Sequence, residues 1–192
     1  MRARWTTWAS GAALAAALLG GCASLSGQDP ITTDEHMRLG ASYEDQGERV
    51  SAGREYAAAL RGRPGHLPAL MALGNLAFQG GDLIEAEIYY RRVLKLVPDH
   101  AGANNNLAMV FLVRNSRLEV AESHAKNALT QAGPFRPYVL DTLANVYMRQ
   151  GRFVAARAAL DEADQICEKG DLLLRQHLAQ SRRQLEVYSK AL

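Results

Sequence analysis

The sequence predicts an all-α fold, a right-handed superhelical solenoid of four helical hairpins followed by one capping helix. Three observations lead to this prediction. A skeleton of apolar and small residues returns about every 34 positions, apolar residues within each copy recur at intervals of three and four, and glycine or proline separates the helical stretches. Self-similarity at a period of about 20 to 50 residues is typical of solenoids, in which neighbouring copies stack to bury a continuous core.

The repeated skeleton places small residues at two fixed positions of each copy. Because glycine inside a helix costs about 1 kcal/mol relative to alanine, its recurrence indicates that the two helices of a hairpin approach closely there. A leucine followed by a small residue marks the first helix: Leu39-Gly40, Leu73-Gly74, Leu107-Ala108 and Leu143-Ala144. A small residue marks the second helix: Ala52, Ala86, Ala121 and Ala156.

The second copy shows most clearly where its helices begin and end. Gly80-Gly81-Asp82 interrupts the helical pattern, since glycine tolerates the positive φ that ends a helix and aspartate caps the next one. Pro98 ends the second helix because proline cannot donate the helical hydrogen bond. In the third copy Asn115-Ser116 replaces the turn glycine and extra residues surround Gly133-Pro134, yet a hairpin is still expected.

These observations divide the chain. The four hairpins are predicted at 33–66, 67–100, 101–136 and 137–170, and a capping helix at 171–192. An open solenoid end exposes apolar surface, so a terminal helix with one apolar and one polar face is expected to cover it. The apolar stripe of this helix comprises Leu174, Leu178, Leu185, Tyr188 and Leu192.

The skeleton resembles that of tetratricopeptide repeat (TPR) proteins. The resemblance implies a groove lined by the first helix of each hairpin, which would bind a protein or peptide partner. Asparagine side chains there can pair with a peptide backbone, and methionine and aromatic side chains can form adaptable apolar pockets. The groove positions carried over onto this sequence are Met71, Asn75, Phe78, Gln79, Asn105, Met109, Tyr138, Asp141, Asn145, Met148 and Arg149.

One specialised form of this groove is excluded by charge. Some TPR proteins hold a C-terminal carboxylate with a clamp of lysine, asparagine and arginine, and Asn75 and Asn106 fall at the clamp's asparagine positions. The clamp's cationic positions are occupied by Met71, Tyr138 and Thr142. Without those charges a carboxylate lacks its main attraction.

The N-terminus resembles a bacterial lipoprotein signal. Residues 1–21 combine a short basic start with an apolar stretch that is much shorter than the ~20 residues of a membrane span. The stretch ends in Leu19-Gly20-Gly21-Cys22, the pattern of a lipobox. The resemblance implies cleavage before Cys22, acylation of that cysteine and a polar tether over 22–32. Because Ala23 and not aspartate follows, it also implies lipid anchoring in the outer membrane, facing the periplasm.

Composition and motifs argue against nucleic-acid binding and catalysis. The formal charge of +2 falls to zero once Arg2 and Arg4 leave with the signal, and no dense basic cluster remains. The five histidines show no metal-ligand spacing, and no nucleophile elbow or phosphate-binding loop is present. We therefore expect no enzyme activity, cofactor or metal. Cys167, the other cysteine, is expected to be buried in packing.

The expected function is that of a scaffold or adaptor that captures a periplasmic partner. A lipobox followed by such repeats is similar to the lipoproteins that assist type IV or Flp (Tad) pilus assembly by helping a secretin reach the outer membrane. An adaptor that recruits peptidoglycan hydrolases or proteases is the alternative, and a cell-wall enzyme is a remote one. The sequence leaves the client and the oligomeric state open.

Overall fold

The computed structural model describes residues 31–168 and 170–190, which contain nine α-helices and no strand. All nine helices belong to a compact unit, Thr32–Leu192, that holds every core cluster among the described residues. A short 3-10 turn, Gly133–Phe135, precedes α7. The helices are α1 Thr33–Asp45, α2 Arg49–Gly62, α3 Leu67–Gly80, α4 Leu83–Leu96, α5 Ala101–Val113, α6 Leu118–Thr130, α7 Arg136–Arg149, α8 Phe153–Ile166 and α9 Leu172–Lys190.

Successive helices pack as four hairpins, α1/α2, α3/α4, α5/α6 and α7/α8, and each hairpin stacks on the next. The predicted all-α solenoid is therefore confirmed. The largest core cluster runs from α4 to α9, and a smaller one joins α2 to α3. Tyr90, Phe111 and Leu160 are among the largest fully buried side chains. Cys167, at the end of α8, is buried as expected.

The turn within each hairpin uses left-handed backbone, for which glycine is suited. Gly47, Gly81 and Gly151 adopt φ values of 77°, 84° and 74° in the first, second and fourth hairpins. Asp82 caps α4 through its Oδ1 atom, which accepts a hydrogen bond from the Glu85 amide at 2.9 Å. The helix end and the cap predicted at Gly81-Asp82 are both present.

The third hairpin forms in spite of its different turn. Four residues, 114–117, separate α5 from α6, and two of them, Asn115 and Arg117, have φ values of 46° and 53°. In this conformation the Cβ atom of any L-residue crowds the following carbonyl, and asparagine offsets the cost with local hydrogen bonds from its short side chain, whereas arginine does not. The turn therefore holds a strained residue in place of glycine.

We expect Arg117→Gly to stabilise the protein. A left-handed conformation costs an L-residue about 1–2 kcal/mol, and the greater freedom of glycine in the unfolded chain offsets part of the gain. The net increase in the free energy of unfolding should be about 0.5–1 kcal/mol by urea titration. Arg157→Gly, an exposed site inside α8, is the control and should lose about 1 kcal/mol. Equal losses in both variants would contradict the strain at Arg117.

The repeated glycines of α1 and α3 lie against tyrosine rings. A Cβ atom added to Gly74 would come within 2.6 Å of Tyr90 Cε1, and one added to Gly40 would clash with Tyr56 in the same way. The close approach inferred from the small residues is present. The facing groups are Tyr56 and Tyr90, whereas the sequence had pointed to Ala52 and Ala86.

The last helix, α9, packs against α8 and α7. Leu174, Leu178 and Leu185 are buried, as the predicted stripe requires. Tyr188 remains 40% exposed, so its place in the stripe was wrong. Leu192, also assigned to the stripe, lies outside the described residues.

The N-terminal predictions fall mainly outside the described residues: the signal 1–21, Cys22 and the tether up to residue 30. Thr32 is the N-cap of α1. Its hydroxyl accepts from the Glu35 amide at 3.2 Å, and the Glu35 carboxylate accepts from the Thr32 amide at 2.8 Å. In the part of the chain that the structure describes, none of the helices combines the length and hydropathy that crossing a membrane requires.

Two carboxylates tie successive hairpins together. Glu87 on α4 pairs with Arg91 and, at 2.7 Å, with Arg114 at the end of α5. Glu122 on α6 pairs at 2.7 Å with both Lys126 and Arg152, the residue before α8. Each carboxylate lies on the second helix of one hairpin and pairs with an arginine in the turn of the following hairpin.

Glu122 should make stability depend on pH in the acidic range. Partial burial raises the pKa of Glu122, but hydrogen bonds from Lys126, Arg152 and Gln150 outweigh this and lower it to about 2. The ionised Glu122 carboxylate makes its full contribution to the free energy of unfolding above the ordinary pKa of 4.5. This contribution is lost as the pH falls towards 2.

At pH 7 Glu122→Gln should therefore reduce the free energy of unfolding by about 1 kcal/mol, and this difference should shrink between pH 4.5 and 2 in urea titrations. Lys126→Gln/Arg152→Gln should remove the same pH dependence. A wild-type minus Glu122→Gln difference that stays constant over that range would contradict the assignment.

Candidate functional site

A small recess lies between α3 and α5 on the stacked hairpins. Its volume is about 100 Å³. The side chains around it combine amides, a phenol, an aromatic ring and a thioether. The recess is lined by Asn75, Phe78, Gln79, Tyr90, Asn106 and Met109.

Hydrogen bonds hold the polar side of the recess in one orientation. Asn75 Oδ1 accepts from the Tyr90 hydroxyl and from Asn106 Nδ2, both at 2.9 Å. Burial raises the pKa of Tyr90 to about 12, so its hydroxyl remains a donor at physiological pH. Because Oδ1 of Asn75 is engaged twice, the amide Nδ2 is the group that Asn75 can offer to a ligand.

The other walls are apolar or adaptable. Phe78 and Met109 are half-buried, and Gln79 is exposed. Methionine and an aromatic ring can adjust to side chains of different shapes. A fixed amide donor beside such walls can bind a peptide carbonyl while an adjacent apolar side chain enters the recess. The arrangement suits peptide binding, and it offers no nucleophile with an adjacent base.

Four of the residues predicted for the groove meet at the recess: Asn75, Phe78, Gln79 and Met109. Two others lie close by without lining it. Met71 is half-buried and packs against the core clusters. Asn105 points into the structure, where its Oδ1 atom is buried without a hydrogen-bond partner among the described residues and its Nδ2 lies 3.7 Å from Met109 Sδ.

Asn106 lines the recess although it was not among the predicted groove residues. The sequence placed it only at a clamp position. Its contact with Asn75 joins residues 31 positions apart on successive hairpins. Two asparagines at that separation on facing helices are the signal that could have predicted the pair.

On the fourth hairpin, α9 packs over part of the surface where the groove was predicted. α9 covers the first helix of that hairpin. Asn145 Nδ2 donates to Ser181 Oγ of α9 at 3.2 Å, and Met148 is only 5% exposed. α9 packs there as the first helix of a further hairpin would pack.

The other predicted residues of α7 also meet α9 or solvent. Tyr138 donates a hydrogen bond to Asp171, just before α9. Burial raises the pKa of Asp141, and nearby Ser181 and His177 oppose the rise. Arg149 is exposed at the end of α7. Tyr138 and Asp141 therefore lie at the contact with α9 or the residue before it, whereas Arg149 faces solvent.

Comparison with known proteins supports the architecture. A family model described as tetratricopeptide repeat matches residues 37–101, 85–137 and 112–171. MamA from Desulfovibrio magneticus RS-1 has 18% identity and a TM-score of 0.66, over 83% of this chain and 88% of that one. PilF from Pseudomonas aeruginosa has 23% identity and a TM-score of 0.65, over 83% of this chain and 74% of that one.

A search of curated proteins gave no significant match. The two structural likenesses are below 25% identity and show the fold alone. The family match is broader, because its three overlapping segments span residues 37–171, which include most of α1 to α8. A stack of this kind is a scaffold suited to protein–protein interaction. The chain belongs to the tetratricopeptide repeat family.

Proposed function

We propose that this protein is an outer-membrane-anchored scaffold that captures a peptide segment of a periplasmic protein during assembly of a pilus or a secretion machine. The observation that carries the proposal is the fixed amide of Asn75 beside the apolar walls of the recess. A repeat scaffold works by presenting such surfaces to partners. The partner segment is extended or helical and places one apolar side chain in the recess.

The lining of the recess contains no cationic side chain that could pair with a carboxylate, and this limits which partner segments can bind there. The recess is lined by uncharged side chains. Removing a terminal carboxylate from water without a charged partner is costly, so the segment is internal to its protein or has a neutral end. Its backbone carbonyl accepts from Asn75 Nδ2.

The lipid anchor and the client rest on sequence patterns. Cys22 ends a lipobox, and several acyl chains at about 0.8 kcal/mol per buried methylene hold a protein firmly to a membrane. The fold likeness to PilF supports a client in pilus assembly.

Purification of the full chain in detergent from its own cells tests the client. Recovery of a secretin or a pilus component supports the proposal, and its repeated absence removes the pilus assignment. Deletion of the gene separates the adaptor alternatives: loss of pilus-dependent motility favours the pilus client, and a cell-wall defect favours recruitment of peptidoglycan hydrolases or proteases. Turnover of a cell-wall substrate by the purified chain alone would overturn the scaffold.

A further inference from the structure

A second depression lies between α2 and α4, with α3 as its floor. Its volume is about 460 Å³, and it shares no lining residue with the recess. Leu73 and Leu76 of α3 contribute apolar floor, and Tyr89 of α4 forms part of the wall. We call this depression the hollow. It is open because Gly53 and Ala57 of α2 carry almost no side chain.

The repeats themselves show that the hollow is specific to the first junction. Moving 34 residues along the chain from Gly53, Ala57 and Gly80 leads to Glu87, Arg91 and Arg114. Those three side chains form the ion cluster that joins the second hairpin to the third. The cluster of Glu122, Lys126 and Arg152 ties together the third and fourth hairpins in a similar way.

The first junction thus lacks the bridge that its two successors contain. Glycine in a helix is destabilising, and at the later junctions charged side chains on both sides form ion pairs that connect the hairpins. Space for the missing side chains exists: a Cβ atom on Gly53 would meet only Leu76, at 3.9 Å, and one on Gly80 would meet nothing within 4 Å. Packing therefore does not require glycine at either position.

The rim of the hollow is basic. Arg49 and Arg54 line the α2 side, and both side chains are exposed. Arg49 reaches only the Gln79 carbonyl, at 3.4 Å, and no ion pair is seen for Arg54 within the described helices. Glu85 lies on the opposite wall beside Tyr89. Burial raises the pKa of the Tyr89 phenol, and the negative charge of Glu85 raises it further. Two guanidinium groups therefore border an apolar floor with one opposing carboxylate.

We propose that the hollow is a second docking site, which takes an amphipathic, acidic segment of a partner protein. An apolar side chain of that segment fills the space left by Gly53 and Ala57. A carboxylate of the same segment pairs with Arg54 and Arg49, replacing the acidic group that Glu87 and Glu122 supply at the later junctions. The scaffold then holds two segments at once, one in the recess and one in the hollow.

The test uses residues 32–192, the compact unit described above, and two synthetic amphipathic peptides. They share one pattern of leucines and carry either glutamate or lysine at the polar positions. Fluorescence anisotropy measures the dissociation constants, and amide NMR shifts map the site. The glutamate peptide should bind about tenfold or more tightly than the lysine peptide, with shifts on α2 and around Tyr89.

Two variants address the cavity and the charge separately. Gly53→Glu/Ala57→Arg/Gly80→Arg copies the ion cluster of the next junction, fills the hollow and should weaken the glutamate peptide about tenfold or more. Arg49→Glu/Arg54→Glu should reverse the preference, so that the lysine peptide binds more tightly. Arg157→Glu, at an exposed position of α8 outside the hollow, is the control and should leave the binding of both peptides within about twofold of wild type.

Equal binding of the two peptides, no binding of either, or unchanged binding in the filled variant would overturn the proposal. So would a dimer in sedimentation that the filled variant abolishes, because the hollow would then join two copies of this chain. Binding to phosphatidylglycerol vesicles that requires Arg49 and Arg54, with no peptide preference, would assign the hollow to lipid and also overturn it. None of these results bears on the function proposed for the recess, because the recess and the hollow have no lining residue in common.

Discussion

Gly74→Ala is expected to lower the free energy of unfolding by about 2–3 kcal/mol, as overpacking of a tight contact does. The added methyl group would lie 2.6 Å from Tyr90 Cε1, which is closer than carbon atoms can approach. Tyr90 cannot move aside easily, because it is buried and its hydroxyl is bonded to Asn75. The substitution therefore disturbs the α3/α4 contact and the polar side of the recess together.

Gly80→Ala is the matched control on the same helix. Its Cβ atom would meet nothing within 4 Å, so the gain in helix propensity should raise stability by about 0.5–1 kcal/mol. Urea titrations of both variants measure the contrast. A loss below about 0.5 kcal/mol for Gly74→Ala would show that the tyrosine contact yields easily, and the repeated glycine would then need another explanation.

Leu178→Ala is expected to cost about 2–5 kcal/mol, the range for truncating a buried leucine. Leu178 is fully buried in the cluster that joins α9 to the preceding hairpins. Leu173, five positions earlier, is 60% exposed, and Leu173→Ala should stay within about 0.5 kcal/mol of wild type. Thermal unfolding compares the two.

Hydrogen exchange on the same variants locates the effect. If α9 closes the stack, Leu178→Ala should increase exchange in α7, where Asn145 and Met148 lie under it. Unchanged exchange in α7, or equal costs for Leu173→Ala and Leu178→Ala, would contradict the role of α9 as a cap.

The hairpins could be predicted because their signals are local. Helical periodicity, the glycine at Gly81 and the cap at Asp82 each depend on a few neighbouring residues, and the structure contains all three. The repeat added a long-range constraint, since copies at one spacing must stack alike. It therefore also showed that α1 and α3 approach their partners at Gly40 and Gly74.

The groove was harder to predict because it depends on how hairpins stack. The sequence singled out Asn75 but left Asn106 out of the groove, and their bond crosses from one hairpin to the next. The fourth-hairpin residues Asn145 and Met148 carry groove-like side chains, and only the position of α9 shows that they are covered. A non-repeating helix has no earlier copy from which its packing could be inferred.

The central claim is that the surface around the recess captures a partner, and site-specific photocrosslinking in cells tests it most directly. A photoreactive residue replaces Gln79, which is exposed at the recess, or Val154 on α8, which is 87% exposed far along the chain. We predict that residue 79 crosslinks a secretin or pilus component whereas residue 154 does not. Equal crosslinking from both positions, or no envelope protein at residue 79, would contradict the account.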